Sequence, residues 1–185
     1  MNYAKIKYFD IADGPGVRTS LFVSGCTHHC KNCFNPETWD FNYGNEFTEE
    51  TENEIIKSCQ SKFSAGITLL GGEPMEPANQ QVILPFLKKF KQVCPDKSIW
   101  CYSGYTFEQL AGIEPYRCRC EVTDELLKLI DVLVDGEFVQ EYYDISLRFR
   151  GSSNQRIIDM KKSLTKKSAV IWHDDPVFST HSMEE

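Results

Sequence analysis

Apolar positions along this chain switch repeatedly between the two-residue period of a strand and the helical period. "RTSLFVS" (18–24) is short and β-branched or aromatic at several positions, which predicts a buried strand, the first of the fold. "FTEETENEIIKSCQSKF" (47–63) changes to helical spacing: Thr48 stands at the cap, acids fill the first turn, and Ile55, Ile56, Cys59 and Phe63 make one stripe. "GITLLGGEP" (66–74) reads as a second strand ending in a glycine pair. Val82, Ile83, Phe86, Leu87, Phe90 and Val93 follow as a second helix, in which Pro85 marks either a kink or the true start. "SIWCY" (98–102) is a third strand, "TDELLKLI" (123–130) a capped helix and "DVLVDG" (131–136) a fourth strand. "DISLRFRGSSNQRIIDM" (144–160) holds at least one more strand, with strand and helix both open across Arg156 to Met160. "AVIW" (169–172) is a candidate to close the sheet, and the polar stretch 173–185 reads as a loose tail.

Strand followed by helix, several times over, implies right-handed crossovers and a mostly parallel sheet in one domain, 1–172. A complete eight-fold barrel takes roughly 250 residues, so this α/β chain of 185 residues is expected to form an open partial (β/α) barrel or a doubly wound sheet. Ligands gather at the carboxyl ends of the strands in both architectures. Cys26 to Cys33, Gly71 to Pro74, Ser103-Gly104 and Asp135-Gly136 all follow predicted strands, so they are expected to converge.

Charge narrows the partners. The net value is −7, from 20 basic and 27 acidic side chains, which disfavours loose association with nucleic acid or anionic lipid. No apolar run is long enough to span a bilayer, and "MNYAKIKYFDIADGPG" lacks the regions of a secretory signal, so a cytoplasmic protein is expected. The eight cysteines cluster unevenly and read as reduced thiols, some of them metal ligands.

The chemistry concentrates in "GCTHHCKNCFNPETW" (25–39), where Cys26, Cys30 and Cys33 stand close together. A structural zinc site takes four protein ligands, so His28 or His29 would have to complete it. An iron–sulfur cubane takes four thiolates, and three would leave one iron open to substrate. "GGEP" (71–74) is either a plain strand-to-helix turn or a place where backbone approaches a ligand closely.

Cys-x3-Cys-x2-Cys after a first strand, followed by "GGEP" after a second, resembles the radical S-adenosylmethionine (SAM) enzymes. "DGPGVRTSLFVSGC" resembles the amino-terminal segment of the activating enzymes for glycyl radical enzymes. "WCYSGYTFEQL", "IDVLVDGEF" and "RFRGSSNQRIID" resemble the branch of that family serving anaerobic ribonucleoside-triphosphate reductase. Together these segments cover most of residues 8 to 164. The resemblance implies a radical SAM partial barrel and a [4Fe-4S] cluster held by Cys26, Cys30 and Cys33, with SAM on the fourth iron. It also implies reduction by a donor such as flavodoxin or ferredoxin. Homolysis of the carbon–sulfur bond would then give methionine and a 5′-deoxyadenosyl radical, which takes hydrogen from a glycine of the large, glycyl radical subunit of that reductase. No acid–base pair is required, so no catalytic residue is assigned.

By the same resemblance Gly71, Gly72 and Glu73 face the methionine moiety, Pro74 fixes the turn, and Asp135 lies near SAM; Ser103, after the third strand, is a candidate either for contact with SAM or for a plain turn. There are two departures: Asn32 stands where the family often carries an aromatic residue, and Glu137 where relatives often carry lysine. His28 and His29 read as supporting or exposed residues, and Cys118 and Cys120 as ordinary reduced thiols rather than a second metal site with Cys101 or Cys94. "LRFRGSSNQR" (147–156), with Arg150 and Arg156, is a candidate docking segment for the partner or, alternatively, a segment touching SAM directly, while Arg148 alone reads as part of a solvated edge. Another radical SAM enzyme, or a zinc module, is the alternative function.

Overall fold

The computed structural model describes residues 1–174. In chain order the strands are β1 (Asn2–Asp10), β2 (Val17–Val23), β3 (Asn45–Glu46), β4 (Ser64–Gly71), β5 (Ser98–Ser103), β6 (Val132–Asp135) and β7 (Arg156–Asp159), and the helices are α1 (Glu49–Cys59), α2 (Pro77–Val93), α3 (Phe107–Leu110), α4 (Thr123–Leu129) and α5 (Met160–Lys166). They build one seven-stranded mixed sheet in the order β3-β1-β2-β4-β5-β6-β7. The central β2, β4, β5 and β6 run parallel, whereas β1, β3 and β7 pair antiparallel at the two edges.

Alternation along the strands sorts the sheet into two faces. Leu21, Val23, Ile67, Leu69, Ile99, Cys101, Leu133 and Ile158 belong to one large core cluster together with the apolar stripes of the helices. In α2 that stripe is Ile83, Phe86, Leu87 and Phe90, each fully buried and each contributing about 1.5–3 kcal/mol. Trp100, Val132, Val134 and Ile157 form a separate, smaller cluster with Tyr102, Phe149 and Trp172 on the opposite face. Beneath Trp100 lies Arg18, 1% exposed, with its guanidinium on Thr68 Oγ1, Ser98 Oγ and the carbonyls of Ile67 and Ser98. Burial lowers its pKa to about 10.

Several expectations need correction. The segment 18–24 is the second strand, because "NYAKIKYFD" (2–10) already forms β1; its lysines kept it from reading as a strand, yet Lys5 and Lys7 lie over the Phe22 ring at 4.7 and 4.9 Å. The helix capped by Thr48 ends at Cys59, leaving Phe63 75% exposed. α2 begins at Pro77 and runs through Pro85, whose missing N–H falls inside the helix rather than at its start. α4 has no side-chain cap; the Thr123 hydroxyl instead bonds Gln80 Oε1 at 2.7 Å. Arg156 to Met160 resolves into β7 and the first residue of α5, with Asp159 capping the helix. "AVIW" makes only an isolated bridge, Ile158 to Ile171, and no strand. Of the expected tail, His173 and Asp174 are described, and 175–185 lie outside the described residues.

Candidate functional site

The cysteine loop leaves β2 at Gly25, which has φ +96 and no room for a side chain, since a Cβ would meet the Phe41 ring at 2.3 Å. Three anchors then fix the loop. Glu76, buried at the start of α2, accepts from the Thr27 amide at 2.9 Å and from the Tyr105 hydroxyl at 3.0 Å. His28 reaches two carboxylates, with Nε2 3.1 Å from Glu73 Oε2 and Nδ1 2.7 Å from Glu137 Oε1. His29 stacks on Trp39 at 4.6 Å between ring centroids. Asn32 has φ +58, a left-handed conformation that asparagine tolerates better than a bulky residue.

Gly71 and Gly72 form the floor beside that loop. The Gly72 amide donates to Val23 O at 2.8 Å, and the Glu73 amide to Gly25 O at 2.8 Å. A Cβ on Gly72 would meet Gly25 O at 2.7 Å, so this glycine is required by the chain's own backbone. Glu73 is 1% exposed and accepts from Met75 N (2.8 Å), Ser103 Oγ (2.9 Å) and Gly104 N (2.7 Å) in addition to His28. One carboxylate thus ties the ends of β4 and β5 to the cysteine loop. Gly104 must be glycine for that contact, because a Cβ there would lie 2.6 Å from His28 Nε2.

Cys26, Cys30, Cys33, Gly71, Gly72, Glu73, Ser103 and Gly104 border one cavity of about 450 Å³ on the helix-free face of the sheet. Asp135 does not. It is 1% exposed and bonded by the Phe107 amide at 2.7 Å and by Arg156 Nη2 at 2.6 Å, while Arg156 also clasps Glu108. The segment just before β7 braces this wall: Gln155 Nε2 donates to Gly136 O at 3.0 Å and Asn154 Nδ2 to Glu137 O at 2.9 Å. The three arginines of this segment all bond within the chain, and Arg150, with Gly151 and Gln155, also borders the cavity. Arg156 holds its two acids, Arg148 pairs with Asp174, and Arg150 Nη1 donates to Ser153 O and Gln155 O.

The donor set fits an iron–sulfur cluster. All three cysteines of the loop are free thiols. Burial pushes the Cys26 thiol up to about 12, which disfavours its thiolate until a cation is bound beside it. Backbone N–H groups of His28 and His29 point at that sulfur and the Phe138 amide at Cys30, the donors that stabilise anionic clusters. Burial works against charge on His28, but hydrogen bonds and attraction from Glu73 and then Glu137 outweigh it and raise its pKa. With both ring nitrogens so engaged, His28 has none left for zinc, and His29 is stacked away. Among the described residues no group of three or more His, Cys, Asp or Glu side chains is placed to hold a single metal ion. Cys118 and Cys101 are buried in the helix-side core, and Cys120 Sγ bonds Gln80.

Two features escaped the sequence reading. Glu76 was legible only as the second acid of "GGEPMEP", where it looks like a surface helix start. Asp10 and Asp13, with Asp13 on the cavity wall, interact where the chain turns from β1 toward β2.

Residues 12–158 match a family model described as a 4Fe-4S single cluster domain. The chain is 44% identical over 160 residues to the anaerobic ribonucleoside-triphosphate reductase-activating protein of Vibrio cholerae serotype O1, covering 85% of this chain and 97% of that one. It is 43% identical over 157 residues to the protein of that name from Escherichia coli K12, covering 84% and 96%. Against that of Enterobacteria phage T4 it is 36% identical over 157 residues, covering 85% and 93%.

Proposed function

Since the chain belongs to the anaerobic ribonucleoside-triphosphate reductase-activating protein family, we propose that it generates the glycyl radical of that reductase by reductive cleavage of SAM. The observation that carries this reading is the single cavity bordered by Cys26, Cys30, Cys33 and the Gly71–Glu73 floor. Cys26, Cys30 and Cys33 would hold a [4Fe-4S] cluster. When bound, the cluster and SAM supply the electron and the hydrogen-abstracting radical, while the protein supplies binding, orientation and exclusion of water.

Each residue then has a positioning task. Gly71 and Gly72 present bare backbone to the methionine moiety, with Ser103 beside them. Glu73 holds loop, floor and β5 in one register, and a displacement of about 1 Å at such a site is costly. Asp135, through Arg156 and α3, sets the wall next to Gly136. The sheet, open on its helix-free face, serves as a radical SAM partial barrel within a single domain, 1–172, of a cytoplasmic protein. No described helix is long and apolar enough to cross a membrane. The electron donor is of the flavodoxin or ferredoxin type.

The deciding experiment is anaerobic incubation of reconstituted protein with SAM, a strong reductant and the reductase, read by electron paramagnetic resonance. A glycyl doublet on the reductase is expected. SAM cleavage with no such doublet would instead favour a different radical SAM substrate.

A further inference from the structure

An apolar patch begins inside the cavity and continues onto the outer surface. Phe34, one residue after Cys33, borders the cavity and packs on Phe138 at 4.9 Å, and Tyr143 closes the group at 5.9 and 6.1 Å. Beyond it the chain from Glu141 to Ser146 is exposed throughout, with Tyr142 at 55%, Tyr143 at 42% and Ile145 at 87%. This loop is nevertheless fixed. Tyr143 bridges Ser152, the Ser153 amide donates to Tyr142 O at 2.9 Å, and Asp144 Oδ1 accepts from both the amide and the hydroxyl of Ser146.

Large apolar side chains held outward by a hydrogen-bonded turn lose little freedom when covered, and aromatic residues are enriched in interface cores. The occupant follows from position and charge. Any chain entering the cavity from this side crosses the patch, because its inner members border the cavity itself. Glu141, 66% exposed and paired at 3.7 Å with the 78% exposed Lys31, and Asp144 put two carboxylates at the fringe of the apolar surface; an exposed pair of this kind is weak and can exchange its cation, which suits a segment carrying basic side chains beside apolar ones.

Resting on the function proposed above, we infer that Tyr142, Tyr143 and Ile145 form a docking platform for the glycine-bearing segment of the reductase, with Glu141 receiving a basic residue on that segment's flank. The platform lies on the rim and takes no part in holding the cluster or SAM.

The test uses reconstituted holoprotein and the intact reductase. The variant Tyr142→Ser/Ile145→Ser is compared with wild type and with Tyr142→Phe/Ile145→Leu for iron and sulfide content, for SAM cleavage without reductase, and for anaerobic affinity to the reductase. Iron content and partner-free cleavage are expected at wild-type values, and affinity about tenfold or more weaker. The Phe/Leu variant is expected to recover most of that loss. Wild-type affinity in the Ser/Ser variant overturns the platform while leaving the activase reading intact. Wild-type protein that cleaves SAM yet never binds the reductase overturns both. Should the Ser/Ser variant lose iron, Glu141→Lys decides: affinity several-fold weaker with full iron supports the platform, and unchanged affinity overturns it.

Discussion

Cys30 is half-buried beside the Phe138 amide, and nothing else in the loop can replace its sulfur. Cys30→Ala is expected to abolish stable cluster assembly, which iron and acid-labile sulfide analysis after anaerobic reconstitution will show. Asp13 gives a prediction in pH. Burial first, then hydrogen bonding to and repulsion from Asp10, push its carboxyl up to about 7 against the pull of Lys7 and Lys5, whereas an unfolded aspartate titrates at about 3.9. The folded state therefore holds this proton more tightly. Its contribution is complete below about pH 4 and is lost as pH rises through about 7. Asp13→Asn removes the titration, so relative to wild type it should gain about 1–2 kcal/mol between pH 5 and pH 8, measured as thermal midpoints of the metal-free protein at the two values.

At the scale of elements, two contacts across strand ends decide whether the site exists. Gly72→Val drives a side chain into Gly25 O and thereby into the cysteine loop. Loss of cluster content is expected together with loss of SAM binding; a variant with full iron that fails only to bind SAM would show that the floor and the loop are independent. Arg156→Ala strips the countercharge from Asp135, which is 1% exposed where β6, β7 and α3 meet. A loss of about 2–3 kcal/mol in unfolding free energy is expected, read by denaturant titration, with Arg156→Lys recovering only part because the fork to two acids is lost. The core strands and α1 were legible because their periods are strong and their caps conventional. β1 was hidden because Lys5 and Lys7 sit over the Phe22 ring instead of in open water. α5 was hidden because seven residues give too short a window for its period to show.

For the whole molecule, the helices cover one face of the sheet and leave the other to the cavity. The cysteines and the glycine pair could be read from spacing because their chemistry is local. The anchors could not. Glu76 looks like a surface acid in sequence, Glu73 and Glu137 were placed near SAM by resemblance alone, and only the fold shows their bonds to Thr27 and His28. The intrachain bonds of the arginines in "LRFRGSSNQR" were hidden for the same reason, since Arg156 meets Asp135 and Glu108 and Arg148 meets Asp174 only in the fold.

The His28 anchors carry a consequence in time. Its two carboxylates lie 45 and 109 positions away along the chain, and contacts of such separation form late, after the costly closure of long loops. Until β6 has joined the sheet, the thiols around His28 are unrestrained neighbours that air can oxidise to mismatched bridges. Iron and sulfide delivered after the sheet has closed find the thiols already arranged, so the order of addition should set the yield. Refolding under strict reduction and then supplying iron is expected to recover more intact cluster than supplying iron to the unfolded chain, measured by sulfide per protein.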